Sequence, residues 1–302
     1  MVSPIEKTPI PLHKRPRSGP YSGLNVNSAR RFLCKQFEKA GLADCEAEAR
    51  ELVMAAASLS RSELITKGTE FMSPEAFNTL QDYSARRLLG EPVDHILGWR
   101  AFYGRRFTIN SDVLSPRQET EEVVAKALEM IAGVKAPILL DLGTGSGAIA
   151  ITLLAERQDA AAIAVDYAKS ALDIAAKNAS AHDVQSRLTL LQSDWFETVT
   201  GQFDLIISNP PYIDDFAMAK LPEEVAKFDP ALALSGGKDG LDPYRIIAAQ
   251  AKNYLKPDGR LVFEIGFDQG SSVPAILKAN GFSRTALYHD IFEQPRIVTA
   301  QL

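Results

Sequence analysis

Four stretches in the second half of the chain carry residue types whose spacing could do chemistry. The first is Asp141–Leu142–Gly143–Thr144–Gly145–Ser146–Gly147, directly after an apolar run and before a helical one. Glycines there let the backbone turn sharply and approach a ligand with no Cβ in the way. With Ala148 the stretch also satisfies the Gly-x-Gly-x-x-Gly/Ala pattern of dinucleotide-binding enzymes, so the loop alone does not separate one nucleotide cofactor from another. The second is Asp166, which ends the next apolar run, Ile163–Ala164–Val165. An acidic residue roughly 20 positions past a glycine turn commonly accepts hydrogen bonds from a ribose. The third is Ser193–Asp194–Trp195, where the Asp can accept from an adenine amino group and the Trp offers a flat apolar wall. The fourth is Phe203 to Tyr212, an apolar strand that ends in Asn209–Pro210–Pro211–Tyr212. Its prolines lack an N–H and hold the chain extended, so the carbonyls of Asn209 and Pro210 can point into a pocket. The Asn side-chain carbonyl is a further acceptor and the Tyr ring a stacking surface. Such an array suits a planar group bearing an NH2, whether a base or an amide.

Parallel strands would bring these four stretches together. Strand candidates are Ile138–Leu140, Ala162–Val165, Leu188–Gln192, Leu205–Ser208 and Leu261–Ile265, then Thr285–Tyr288 and Ile297–Gln301. Helical segments such as Ala148–Glu156 and Ser170–Ala179 lie between most of them, which calls for a parallel sheet with helices on both faces. Ahead of this half, Gly98–Ile109 reads as a short hairpin. Residues 24–92 read as a small helical bundle. Asn27 or Ser28 caps its first helix, with Phe32, Leu33, Phe37 and Ala40 on one face and Gly41 at the end. A second helix carries Ala47, Leu52, Val53 and Ala56, and a short one covers Ser62–Lys67. A last one opens at Ser73–Pro74–Glu75 and buries Phe77, Leu80 and Leu88. Residues 1–23 hold five prolines among Lys14, Arg15 and Arg17 and read as a flexible tail without a secretory core. The expected organisation is therefore a tail (1–23), a helical domain (24–92), a hairpin linker (93–112) and an α/β domain (113–302).

Composition sets the outer limits. The 302 residues include 38 acidic and 33 basic ones, a net charge of −5 with histidines neutral, which argues against general attraction to nucleic acid. Hydrophobic residues at 46% and charged residues at 24% suit an ordinary globular chain, and no apolar run approaches bilayer-spanning length. Cys34 and Cys45 build no disulfide framework and have no zinc-type spacing, so no metal is expected and a reducing compartment is the simpler reading. His13, His95, His182 and His289 do not cluster. Glu264 reads as a polar strand end. Arg100, Arg105 and Arg106 read either as contacts to an acidic substrate or as a solvated turn.

In this order the four stretches resemble the class I S-adenosylmethionine-dependent methyltransferases that modify planar amino nitrogens. Nicotinamide enzymes have no use for Asn-Pro-Pro-Tyr after the fourth strand. Further motifs narrow the resemblance: Ser60–Arg61–Ser62–Glu63–Leu64, Gly90–Glu91–Pro92, Phe102–Tyr103–Gly104, and Val113 through Glu121. Downstream stand Phe228–Asp229–Pro230–Ala231–Leu232–Ala233–Leu234 and Gly236–Gly237–Lys238–Asp239–Gly240–Leu241. From about Asn27 to the C-terminus the chain resembles the release factor glutamine methyltransferases (the PrmC/HemK family). Ser115 and Gln118 stand where that family usually has Ile and Pro, and His95 where Tyr is usual.

The resemblance implies a Rossmann-like methyltransferase domain with a seven-stranded, mostly parallel sheet, preceded by a small all-α domain and a β-hairpin linker. It implies S-adenosyl-L-methionine as cofactor, held by Asp141, Leu142, Gly143, Thr144, Gly145, Asp166, Asp194, Trp195 and Asn209. It implies Asn209, Pro210 and Tyr212 as catalytic residues, with Pro211 completing the substrate contacts. The implied substrate is the glutamine of the Gly-Gly-Gln loop of class I peptide chain release factors, methylated at its amide nitrogen by a cytoplasmic, monomeric enzyme with no membrane and no stable nucleic-acid partner. Glutamine of a ribosomal protein, or a nucleic-acid amino group, is the alternative target. Glu119–Thr120–Glu121 matches the release-factor enzymes.

Overall fold

Asn25, rather than Asn27 or Ser28, starts the first helix: its Oδ1 accepts the backbone N–H of Ser28 at 2.8 Å, and α1 runs Val26–Lys39. Gly41, at φ +80°, ends it; the N–H of Leu42 reaches back to the carbonyl of Phe37 and that of Gly41 to Glu38. The buried face holds Val26, Ala29, Leu33 and Phe37. Phe32 was expected on that face but is 36% exposed, because it stands about 100° round the helix from Leu33. Helix α2 (Cys45–Ala56) buries Ala49, Leu52, Val53 and Ala56 against it. The two cysteines, eleven positions apart, are free thiols with their sulfurs 3.2 Å apart.

Helix α3 (Arg61–Thr66) opens on a reciprocal cap, Ser60 Oγ accepting the N–H of Glu63 while the Glu63 carboxylate accepts that of Ser60. Helix α4 (Pro74–Leu88) starts as expected, with Ser73 Oγ accepting the N–H of Ala76 and proline in the first turn. Phe77 and Leu80 are buried, but Leu88 is 43% exposed. The place expected for Leu88 is taken by Arg87, which is 4% exposed and grips Glu48 of α2 through two bonds of 2.8 and 2.9 Å. A bidentate guanidinium–carboxylate pair can be buried where a single charge could not. Helix α5 (Val93–Leu97) buries Ile96 in the same cluster, so the stretch read as the start of a linker is helical.

The computed structural model describes residues 23–302, and these fall into two units, one ending at Leu97 and the other spanning Gly98–Leu302. The proline-rich stretch, apart from Gly23, lies outside the described residues. No helix among the described residues is long and apolar enough to cross a membrane.

The second unit opens with β1 (Trp99–Phe102) and β2 (Arg105–Thr108), joined by Tyr103 and Gly104, both at positive φ as a two-residue hairpin turn requires. Phe102 and Phe107 meet edge to face at 5.9 Å and are buried in the core of this unit. The hairpin is therefore built into the α/β part. Arg105 pairs with Glu156 at 2.7 Å and Arg106 lies over the Trp99 ring, so both are engaged within the fold.

Then follow α6 (Thr120–Met130), β3 (Ile138–Leu142), α7 (Ala148–Glu156), β4 (Ala161–Asp166), α8 (Lys169–Ala181), β5 (Leu188–Gln192) and β6 (Phe203–Ser208). After them come α9 (Asp215–Met218), α10 (Glu223–Phe228), α11 (Asp242–Ala251), β7 (Leu255–Glu264), α12 (Ser272–Ala279), β8 (Arg284–His289) and β9 (Pro295–Gln301). The seven strands from β3 onward form one sheet in the order β5-β4-β3-β6-β7-β9-β8. All pairs are parallel except the last two, where β9 runs antiparallel to both β7 and β8. Apolar side chains on the two faces feed separate core clusters, one with Val123, Ile151 and Leu153 and the other with Tyr244, Ile247 and Phe263. The strand order reverses between β3 and β6, which opens a crevice beyond their C-terminal ends.

Candidate active site

The glycine turn leaves β3 at Leu142 and enters α7 through Gly147. Gly147 sits at φ +82°, and a Cβ there would lie 2.6 Å from Ile151 Cδ1 and 3.2 Å from Ala175 Cβ, so glycine lets α7 and α8 close on the turn. The N–H groups of Gly143 and Thr144 both donate to the carbonyl of Val165, and that of Gly145 to Asp166 Oδ2 at 2.8 Å. The other Asp166 oxygen accepts from Ala168 at 2.9 Å. Asp166 thus fixes the turn to the end of β4 and keeps acceptor capacity on both oxygens. Burial raises its carboxyl above the ordinary range.

Asp141 lies under the turn, 1% exposed. Its Oδ2 accepts from Thr144 Oγ1 at 2.7 Å and from the N–H of Ala150, while Oδ1 is buried with no partner in the protein. Burial pushes this carboxyl up to about 6.

A cavity of about 540 Å3 opens over the turn, within the size range of small-molecule sites. Gly143, Thr144, Gly145, Asp166, Asp194, Trp195, Asn209 and Pro211 all line it. Asp141 and Leu142 do not; they hold the floor from below. Asp194 is exposed and Trp195 half-buried at positive φ. Tyr167, next to Asp166, also lines the cavity and is 62% exposed, an aromatic wall that no motif marks in the sequence. Ser115, one of the departures from the family pattern, lines it too.

A second cavity of about 310 Å3 is lined by Pro210, Tyr212, Glu119, Glu264 and Arg296, and Leu114, Arg117, Asn209 and Ala233 line both cavities. Asn209 therefore stands where the two meet. Ser208 Oγ, donating to the carbonyl of Leu142 at 2.7 Å, clamps the end of β6 to that of β3 just before it. On the far side Gln269 Nε2 donates to the carbonyls of Tyr212 and Gly240 at 3.1 and 3.0 Å. Gly240 is at φ +73°, and a Cβ there would lie 2.3 Å from the Tyr212 oxygen, so the Gly236–Leu241 stretch packs backbone to backbone on the Asn-Pro-Pro-Tyr segment. Burial raises the Tyr212 hydroxyl above its ordinary value.

Two more residues join the site. Asn209 Nδ2 donates to Thr120 Oγ1 at 3.3 Å, and Thr120 Oγ1 to Glu264 Oε2 at 2.6 Å. Glu264 is 1% exposed, and burial pushes its carboxyl up to about 7. It is more than a polar strand end. The segment before α6 is tied across the cavities by Arg117 Nη2 on Asp229 Oδ2 at 3.1 Å. The arrangement offers an acceptor-rich cleft for a nucleoside beside a smaller pocket lined by Asn209, Pro210 and Tyr212.

Comparison with known proteins decides the family. Residues 120–227 match the family model described as Methyltransferase small domain, and residues 28–98 match the PrmC N-terminal domain. A protein of Cereibacter sphaeroides named release factor glutamine methyltransferase is 44% identical over 92% of this chain and 99% of its own length. The chain belongs to the release factor glutamine methyltransferases. Relatives of the same name from Neisseria gonorrhoeae and Caulobacter vibrioides are 41% and 38% identical, over 83% and 87% of this chain and 91% of each of theirs. Among solved structures, the hMettl16 catalytic domain in complex with an RNA hairpin of MAT2A is similar with a TM-score of 0.54, at 13% identity over 73% of this chain and 80% of that one. That likeness shows the class I methyltransferase fold alone. As a release factor glutamine methyltransferase, the chain carries its Asn-Pro-Pro-Tyr segment at the end of β6, where the sheet order places the crevice.

Proposed function

We propose that this release factor glutamine methyltransferase transfers a methyl group from S-adenosyl-L-methionine to the side-chain amide nitrogen of the glutamine in the Gly-Gly-Gln loop of class I release factors. The observation that carries the reading is Asn209, which lines both a nucleoside-sized cavity and a smaller pocket shared with Pro210 and Tyr212. The residues present suit the cofactor. Asp166 has spare acceptor capacity for a ribose, Asp194 and Trp195 would take the adenine with Tyr167 beside them, and the turn from Gly143 to Gly145 would face the methionine end. Asp141 holds that turn from below. Bound there, the cofactor supplies an electrophilic sulfonium methyl.

The chain's own residues address the nucleophile. The Asn209 side-chain oxygen and the Pro210 carbonyl would accept the two amide hydrogens and fix the glutamine nitrogen in line for attack. The same acceptors favour the positive charge that grows on nitrogen, and Tyr212 would pack on the amide plane. No side chain needs to remove a proton first, because the protonated amide product is acidic enough to lose it to water. The helical unit would hold the protein substrate, as a PrmC N-terminal domain. Such a substrate places the reaction in the cytoplasm. Purified chain, labelled cofactor and release factor, followed by mass mapping, test the proposal: it requires the label on the Gly-Gly-Gln glutamine, and label elsewhere on the factor would refute it.

A further inference from the structure

The hydrogen-bond chain behind Asn209 has a direction. A threonine hydroxyl carries one proton. An ionised carboxylate donates none, so Thr120 must spend its proton on Glu264 Oε2, at 2.6 Å. Thr120 Oγ1 can then only accept from Asn209, and it does so from Nδ2 at 3.3 Å. With the amide nitrogen turned to Thr120, Asn209 Oδ1 is left to face away from it. Were the hydroxyl free to donate toward Asn209, the amide could turn over and present a donor where an amide substrate needs an acceptor.

We propose that Glu264 is a positioning residue for methyl transfer, acting through Thr120 to fix which end of the Asn209 carboxamide meets the substrate amide. The inference rests on the function proposed above. Four facts support it: Glu264 is 1% exposed, its backbone carbonyl is held by the Tyr244 hydroxyl at 2.9 Å, it ends the strand beside β6, and Thr120 is the first residue of α6, with its side chain buried. The groups that face Glu264 are Thr120 and Glu119 at the start of α6, Asn209 and Tyr212 after β6, Tyr244 of α11 and Arg296 of β9. Burial opposes the charged carboxylate most of all and Glu119 adds to this, while the Thr120 hydroxyl, then Arg296 and Asn209, favour it. The carboxylate therefore loses its charge near neutral pH, and with it the power to enforce the direction.

Three substitutions test the relay in the full chain. Glu264→Gln keeps the shape but can present either an acceptor or a donor to Thr120. Thr120→Val removes the relay hydroxyl, and Thr120→Ser keeps it. With release factor as substrate, Glu264→Gln and Thr120→Val should each lower kcat about tenfold or more with KM for the factor within about threefold, and their double variant should be no slower than the worse single one. Thr120→Ser should restore most of the rate. Wild-type kcat should fall as pH drops through about 7, and the Glu264→Gln profile should lack that limb. In the free protein, the Asn209 side-chain amide resonances, identified by their loss in Asn209→Ala, should titrate with the same midpoint and stop doing so in Glu264→Gln. Wild-type kcat in both Thr120→Val and Glu264→Gln, or an Asn209 resonance unmoved by Glu264→Gln, would overturn the relay. If the wild type methylates no release factor, the functional proposal fails by itself and the amide resonances still decide the relay.

Discussion

A glutamine amide nitrogen shares its lone pair with the carbonyl, so the site must supply what the nucleophile lacks, and Asn209 is the residue placed to do so. Asn209→Ala should cost about 100- to 1000-fold in turnover, the usual loss on removing one group preorganised for developing charge, while calorimetry still detects cofactor binding. Turnover near wild type would refute its role. Glu264 carries a second consequence. Its carboxyl is raised to about 7 from an ordinary value of 4.5. Between those values the folded chain binds more protons than the unfolded one, so this group's contribution to stability declines as pH rises from about 4.5 to about 7 and stays lost above. Glu264→Gln should then be more stable than wild type at pH 8, by up to about 3 kcal/mol, and should lose the advantage below pH 5. Denaturant midpoints at the two pH values check this, and a Glu264→Gln chain less stable at pH 8 would contradict it. Asn209 was legible from the motif that ends β6. Glu264 was not, because its partner Thr120 stands 144 positions away and a lone acidic residue at a strand end carries no signal of what it meets.

At the scale of elements, two close fits can be tested. Gly147→Ala puts a side chain at φ +82° and 2.6 Å from Ile151 Cδ1. Left-handed backbone costs about 1–2 kcal/mol and overpacking about 1–3, so a loss of about 2–5 kcal/mol and a lowered Tm are expected; an unchanged Tm would show that α7 and α8 do not close on this turn. Ser60→Ala removes half of the cap on α3 and should cost about 1 kcal/mol, read from chemical denaturation. Strands and their connecting helices were legible because apolar runs, glycine turns and prolines mark them locally. The helix faces were less so. Phe32 and Leu88 satisfied an apolar spacing yet face outward, since burial on α4 went to Arg87 once Glu48 was there to pair with it. Such a pairing between α2 and α4 lies 39 positions apart and leaves no local trace.

At the scale of the whole molecule, motif order did what composition could not. A net charge of −5 only leaned away from nucleic acid, and a fold does not by itself name the acceptor. The Asn209 site and a relative that matches nearly end to end point to the acceptor. The antiparallel return of β9 between β7 and β8 was not legible, because strand direction depends on partners and not on the strand's own residues. The most direct measurement offers the purified chain and labelled S-adenosyl-L-methionine a class I release factor, ribosomal proteins, rRNA and naked DNA in parallel. Label is expected on the release factor, on the glutamine of its Gly-Gly-Gln loop. Label on nucleic acid or a ribosomal protein, with none on the release factor, would contradict it.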